Sequence, residues 1–499
     1  MKPEFQKKPP YVMLAVLFAG AFIAFLNNSL LNVALPSIMV DLEIADYSTV
    51  QWLATGFMLV TGVLVPASAY LITRFSNRTL FITSMAIFAA GTAIAAFSPT
   101  FGWLLSGRMI QAVGASTMGP LLMNVMLVSF PREKRGTAMG IFGLVMISAP
   151  AIGPTLSGYI VEYYDWRVLF EMILPLAIIG LALAIWKAEN VMVQNKDQSL
   201  DYLSLVLSTI GFGGVLYGVS SASSDGWDNP IVLTTIIVGF VALIAFVIRQ
   251  LNMEKPLLDL RAYKYPMFAL ASIIAIVNAV AMFSGMILTP AYVQSVRGIS
   301  PLDSGLMLLP GAIIMGIMSP ITGKLFDKFG PKLLSIIGLT ITAVSTYMLA
   351  HVQLDSTYTY IVMTYTLRMF GMSMVMMPVM TNGLNQLPTH LNPHGTAINN
   401  TAQQVSGAIG TAVLVTIMNS VTRTEAESLM IGVDPATLTE SAMGALTQQA
   451  LLSGIQVSFY VALGMNILAL VLAFFVKRVD VRNLDFKQED INKELKRAN

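Results

Sequence analysis

Apolar runs of close to twenty residues, separated by short polar or basic breaks, recur along the whole chain. The hydrocarbon core of a bilayer is about 30 Å thick and takes about 20 apolar residues of helix to cross. That measure predicts fourteen spans, at 11 to 35, 49 to 72, 78 to 97, 101 to 129, 136 to 162, 166 to 187, 202 to 221, 230 to 250, 266 to 294, 302 to 325, 332 to 351, 357 to 385, 395 to 421 and 453 to 476. The expected fold class is therefore an all-α polytopic membrane protein. The run from Tyr11 to Leu26 follows Lys2, Lys7 and Lys8 and superficially resembles a secretory signal. Its A-x-A, Ala19 to Ala21, falls inside the apolar run and further spans follow, so an uncleaved first helix is expected.

Charge gives this series a direction. Only 11% of the 499 residues are charged and 55% are hydrophobic, against about 25% charged in soluble domains. Loops on the cytoplasmic side of a membrane collect Lys and Arg. With the amino terminus inside, nearly all of the 29 basic residues fall in the two tails and the loops on the same side. Arg167, Arg297 and Arg423 lie on the other side, and Arg108 and Arg368 fall within spans. Acidic residues divide evenly, with Glu171 inside a span. Both termini are thus expected in the cytoplasm of a cell-membrane protein. The acidic loop 422 to 452, with Glu425, Glu427, Asp434 and Glu440, is expected outside. No basic stripe suggests nucleic acid, and the absence of cysteine excludes disulfides, thiolate metal sites and thiol catalysis. No P-loop, dinucleotide fingerprint, nucleophile triad or metal arrangement is found. Neither an enzyme nor a cofactor is expected.

Three matches in order indicate a duplicated unit. Gly136-Thr137-Ala138-Met139 and Gly395-Thr396-Ala397-Ile398 are offset by 259, Arg108 and Arg368 by 260, and Ala69 and Gly323 in matching loops by 254. Two six-helix halves follow, with the seventh and eighth spans inserted between them. The expected boundaries are 1–200 for the first half, 201–252 for the insertion, 253–478 for the second half and 479–499 for a cytoplasmic tail.

The run Gly323-Lys324-Leu325-Phe326-Asp327-Lys328-Phe329-Gly330-Pro331-Lys332, the fourth-span pattern Arg108, Gln111, Gly114, and Gly143, Ala149-Pro150, Gly153-Pro154 and Gly158 in the fifth span carry a family likeness. So do Asn32-Val33-Ala34-Leu35-Pro36 and Trp166-Arg167 with Pro175. Together the sequence resembles the major facilitator superfamily, in its fourteen-helix branch of drug:proton antiporters, and within it the lincomycin-resistance-like exporters of Gram-positive bacteria. The likeness implies proton-coupled export of lipophilic or amphiphilic small molecules by alternating access, with protons and membrane lipids as the other partners and a monomer as the working unit. Export of an endogenous metabolite or lipid is the alternative, and a membrane sensor or scaffold without transport is the alternative of another class.

The departures from the family are as informative. The first copy of the loop reads Ala69-Tyr70-Leu71-Ile72-Thr73-Arg74-Phe75-Ser76, with Ala69, Thr73 and Ser76 replacing the usual Gly, Asp and second Gly. Asn27 stands where the family often has an acid. Gly323, Asp327, Gly330 and Lys332 are therefore the candidates for a conformational latch. Gly143, Pro150, Gly153, Pro154 and Gly158 are the candidates for a close seam between helices.

A charge inside a span costs at least a few kcal/mol and marks a cavity or a partner. At a rise of 1.5 Å per residue, Arg108, Glu171 and Asn27 share a layer about 8 to 12 Å below the outer boundary. Glu171 and Arg108 are the expected proton-coupling pair, with Asp303 at the outer mouth next. Asn27, Asn28, Asn32, Gln111, Arg368, Asn400, Gln403, Gln404, Met372 and Met376 are the expected cavity residues. The amides Asn399, Asn400, Gln403 and Gln404 are the expected partners of Arg368. Methionines such as Met372 and Met376 make an adaptable wall.

Overall fold

A computed structural model describes residues 10–44, 47–131, 134–192, 194, 200–431 and 440–479. Among them there is no strand, and fifteen α-helices follow one another. The first half holds α1 (Tyr11–Asp41), α2 (Tyr47–Arg74), α3 (Asn77–Ala96), α4 (Phe101–Ser129), α5 (Arg135–Tyr163) and α6 (Val168–Lys187). A hairpin of α7 (Tyr202–Asp225) and α8 (Pro230–Asn252) comes next. The second half holds α9 (Pro266–Ala291), α10 (Pro301–Phe329), α11 (Pro331–Ala350), α12 (Tyr358–Ser373), α13 (Met376–Asn385), α14 (Asn392–Leu429) and α15 (Glu440–Ala473).

Twelve stretches of the described helices are long and apolar enough to cross a membrane. The fifth predicted span corresponds to α5 and the twelfth to α12 and α13 together, so the chain is a multi-pass membrane protein. Successive spans run in opposite directions, with α12 and α13 counted as one. One end of the bundle, here the basic end, gathers Arg74, Arg78, Lys187, Lys324, Lys328 and Arg478, and the opposite end is the far end.

In the first half α3 packs on α4, and α1 lies against α5 and α6; in the second, α11 packs on α12 and α15, and α9 on α14 and α15. The halves meet at two seams, α5 with α10 and α2 with α14, and α7 lies against both α2 and α14. Large side chains on α8, such as Ile237, Phe240 and Val241, point outward, as an apolar solvent allows.

Three features depart from the predicted spans. The twelfth breaks between Ser373 and Met376. Pro378 has no amide hydrogen for the carbonyl of Met374, so the hydrogen-bond ladder is interrupted there. The ninth changes its winding rather than its extent, passing after Pro290 into a wider turn over Tyr292–Val296. The acidic loop 422 to 452 is largely helical: α14 runs on to Leu429 and α15 begins at Glu440. An Arg423–Glu427 pair at 2.9 Å, one turn apart, supports the α14 extension. Asp434 lies outside the described residues, and so do the side chains of Asn32 and Pro150.

The repeat also has a different register from the one read off the arginines. α3 and α11 correspond at an offset of 254 at both ends, whereas α4 and α12 begin 257 apart. Thr92 of α3 is bonded to Gln111, and its counterpart Thr346 is bonded to Arg368. A Cβ on Gly114 would meet Ser84 and Phe88, and one on Gly371 would meet their counterparts Gly338 and Thr342. Arg368 is thus the counterpart of Gln111, one helical turn from where the offset of 260 put it.

Candidate functional site

The first half holds a buried polar node on α4. Arg108 is fully buried. Its Nη1 donates to Gln111 Oε1 at 3.0 Å and its Nε to the Leu53 carbonyl on α2 at 3.3 Å. Its guanidinium carbon lies 4.4 Å from the centre of the Phe57 ring, a cation–π contact. Gln111 is the hub. Its Oε1 also accepts from Asn27 Nδ2 at 3.2 Å, and its Nε2 donates to Thr92 Oγ1 at 2.8 Å. The site is tight because α3 and α4 touch through glycine: a Cβ on Gly91 would stand 2.5 Å from the Gln111 nitrogen. Arg108 Nη2 is buried with no partner among the described residues, a donor ready for an acceptor on a ligand or a water.

Glu171 does not join this node. It sits exposed in the first turn of α6 and has no side-chain partner among the described residues. Asn28 is half-buried beside Asn27. The far end near α6 is organised instead by Arg167, which binds Asp41 at 2.8 Å and lies 4.3 Å from the Trp166 ring. Hydrogen bonds from Arg167 and Trp166 hold the Asp41 carboxyl below its ordinary range. Asp303 is exposed and shares a reciprocal cap with Ser300 at the start of α10.

The second half has its own node, and its chemistry differs. Arg368 is fully buried. It donates to Thr346 Oγ1 at 3.2 Å, to Ser284 Oγ at 3.1 Å and to the Ala281 carbonyl. Gly285 makes room for it, since a Cβ there would collide with Nη1. The expected amides are engaged elsewhere or differently placed. Asn399 accepts from Ser272 at 2.9 Å, Gln403 reaches Met380, and Asn400 and Gln404 are half-buried on α14. The hydroxyl groups of α9 and α11 are nearer to Arg368, so they take the role assigned to the α14 amides. Met372 and half-buried Met376 do come together, in a cluster with Met315, Met369 and Tyr365 between α10 and the α12–α13 break.

At the basic end the last turns of α10, helical where a loop was expected, meet the start of α5. Asp327 accepts from the backbone nitrogens of Gly136 at 3.0 Å and Thr137 at 2.9 Å, and from Thr137 Oγ1 at 2.7 Å. A carboxylate on the first amides of a helix is matched to both their free donors and the helix dipole. Gly323 permits the approach, since a Cβ on it would stand 2.2 Å from the Gly136 carbonyl oxygen. Gly330, at φ +81°, ends α10, and Lys332 is exposed on α11. Arg135, the first residue of α5, donates to Asn385 of α13 at 3.2 Å. In the degenerate copy, Thr73 Oγ1 bonds the carbonyl of Ala69 on its own helix.

The small residues of α5 serve two neighbours. Gly143 faces Ser319 of α10 across the seam between halves, while Gly153 faces Ser29 of α1 within the first half. Pro154 and Gly158 line a far-end crevice with Leu302 of α10.

Duplicated halves around buried polar nodes, latched at one end, are matched in sequence by the profile of the Major Facilitator Superfamily over residues 17–411. The chain belongs to the Major Facilitator Superfamily. Among facilitator relatives, an uncharacterized MFS-type transporter of Bacillus subtilis, YhcA, is 51% identical over 83% of this chain and 77% of its own length. The lincomycin resistance protein LmrB of the same organism is 45% identical over 96% of this chain and 98% of its own. In three dimensions the fold matches the human organic anion transporter MFSD10, with a TM-score of 0.66 at 13% identity, over 94% of this chain and all of the other.

Sequence reasoning missed Thr92, Thr346 and Ser284, which complete the two facilitator nodes, and Asn385 at the latch. The offset of 254 that aligned the loops also aligns Thr92 with Thr346, and that signal was available.

Proposed function

We propose that this facilitator exports lipophilic or amphiphilic small molecules from the cytoplasm by alternating access, driven by the proton gradient. The basic end faces the cytoplasm, both termini lie on that side, and the membrane is the plasma membrane of a bacterium. The observation that carries the reading is the Asp327 latch. One carboxylate on one helix terminus closes the basic end, and such a contact can break and reform while both halves keep their internal packing. Near full-length similarity to a lincomycin resistance protein supports a drug as cargo, and the cluster of Met315, Met369, Met372 and Met376 offers it a surface that can repack.

In the Arg108 node Asn27 cannot exchange a proton, and its hydrogen bonds to Gln111 keep the node neutral apart from the arginine. A cargo carrying a hydrogen-bond acceptor meets Arg108 Nη2 there. Glu171, the acid in the first turn of α6, is exposed and is the proton carrier to test. The experiment is efflux of cationic, neutral and anionic dyes from proteoliposomes with and without a pH gradient. Uphill movement only with the gradient supports the reading, and no gradient-dependent movement of any dye overturns it. In the same assay Glu171→Gln should abolish uphill export and substrate-induced proton release; parental behaviour would exclude Glu171 as the carrier.

A further inference from the structure

Asp327 is gripped on two sides. Its carboxylate holds the start of α5, while its main-chain oxygen accepts from Arg478 Nη2 at 2.7 Å. Arg478 Nη1 reaches the neighbouring Lys328 carbonyl at 3.3 Å. These are among the last carbonyls of α10, which have no partner within the helix, and a cation is favoured at that pole. The Arg478 stem passes over Gly330, where a Cβ would stand 3.2 Å from its Cδ.

The backbone carrying Arg478 is itself clamped. Asn382 of α13 is buried, donates to the Lys477 carbonyl at 3.0 Å and accepts from the Val479 nitrogen at 3.1 Å. Three residues further along α13, Asn385 receives Arg135 from the start of α5. The contacts thus close a ring: α5 to Asp327, Asp327 to Arg478, Arg478's segment to Asn382, and α13 back to α5. The first half has a partial counterpart, since Asn124 of α4 reaches Met192 in the segment that follows α6. Among its described residues that segment carries no equivalent of the Arg478 contact with a latch acid.

We propose that Arg478, held in place by Asn382, is a positioning residue for the gate: it fixes the end of α10 so that Asp327 stays on the α5 terminus, and thereby sets how long the basic end remains closed. Arg478 touches neither cargo nor the α5 amides and acts through Asp327. The proposal rests on the transport reading insofar as it treats the basic end as a gate.

Because the chain has no cysteine, spin labels can be placed in the full-length protein without removing any. One pair, Phe75→Cys with Leu333→Cys, spans the basic end from exposed positions on opposite halves, and a second, Phe97→Cys with Leu354→Cys, spans the far end. Distance distributions are recorded in lipid nanodiscs for the parent, Arg478→Met, Arg478→Lys, Asn382→Ala, the Arg478→Met/Asn382→Ala double variant and Asp327→Asn. Loss of two exposed charge-assisted hydrogen bonds should raise the ratio of open to closed basic ends about threefold to fivefold in Arg478→Met. Arg478→Lys should fall between it and the parent. The double variant should open no further than the larger single change, because both act on one contact, and the far-end pair should shorten as the basic end opens. Parental distances in Arg478→Met while Asp327→Asn opens the gate would overturn the proposal and leave the transport reading standing. A basic-end distance that none of the variants changes would overturn both. Broadening at both ends together, with Arg478→Lys no better than Arg478→Met, would assign Arg478 a packing role and also overturn it.

Discussion

At the α5–α10 seam, backbone meets backbone at Gly136 and Gly323, and Asp327 adds three hydrogen bonds to the start of α5. At the α2–α14 seam the matching residue, Thr73, bonds its own helix, and a third helix covers the joint. There α7 sets Tyr217 against Trp52 of α2, with ring centres 5.4 Å apart, and packs Val215 and Val219 on Ala412 of α14. Beyond α7, Trp227 donates to Thr416 of α14 at 2.7 Å. One seam adds a few directional bonds at its basic end to a long, close contact of α5 with α10, and the other draws apolar area from the inserted hairpin. A directional latch opens at a defined cost in a single step, while a broad apolar contact yields gradually. The loss of the acid from the first loop and the presence of the insertion therefore fit together: the seam without a latch is the one that α7 braces.

The largest effect that would sharpen this contrast comes from Asp327→Asn. Losing the carboxylate at the α5 terminus removes charge-assisted bonds of about 1.5 to 3 kcal/mol, and export from proteoliposomes should slow about tenfold or more while expression stays at the parental level. Thr73→Ala should change export less than about twofold, since it loses only one bond to its own helix turn. Equal effects at the two sites would break the comparison. Trp227→Ala should act on the other seam, lowering thermal stability in detergent by about 1 to 3 kcal/mol through lost packing and the bond to Thr416. A parental melting temperature would show that the hairpin does not brace that seam.

The smallest effect is on the anchor of the hairpin. Asp201, at the start of α7, is bonded by Arg249 at 2.8 Å, and that hydrogen bond, with the one from Ser204, holds its carboxyl down to about 2 from an ordinary 3.8. A depressed acid contributes its stability above the unfolded value and loses it as pH falls through the folded one. Thermal stability contributed by this pair should thus be constant from pH 7 to 5 and decline between about 4 and 2. In Asp201→Asn that particular decline should vanish, which melting curves of the two proteins would show.

Much of this fold was readable from apolar length alone, because the bilayer imposes one rule on every span. The intact loop around Asp327 was equally readable, since Gly323 and Gly330 mark close approach and helix ending by residue type. What escaped was rotation and register. Glu171 and Arg108 were expected at similar depths, yet depth carries no information about which way α6 faces, and Glu171 is exposed. The two arginines suggested an offset of 260, but packing of α12 on α11 sets it at 257 and makes Arg368 the counterpart of Gln111. The break before α13 had a visible cause in Pro378, whose missing donor acts four residues upstream. The extension of α14 past the predicted boundary carries an exposed Arg423–Glu427 pair and lies outside any apolar run, so a search for hydrophobic spans passes over it.

The central claim is that the α5–α10 seam must part at its basic end in every transport cycle. An ideal Cβ at Gly143 would overlap Ser319 Oγ, so the helices touch there, and a Gly143→Cys/Ser319→Cys pair places two thiols on facing helices in a chain with no other thiol. Dye efflux is measured from proteoliposomes containing the pair, oxidised and then reduced, with each single variant as control. The account predicts that oxidation stops efflux and reduction restores it to the level of the single variants. Undiminished efflux from fully cross-linked protein would contradict it.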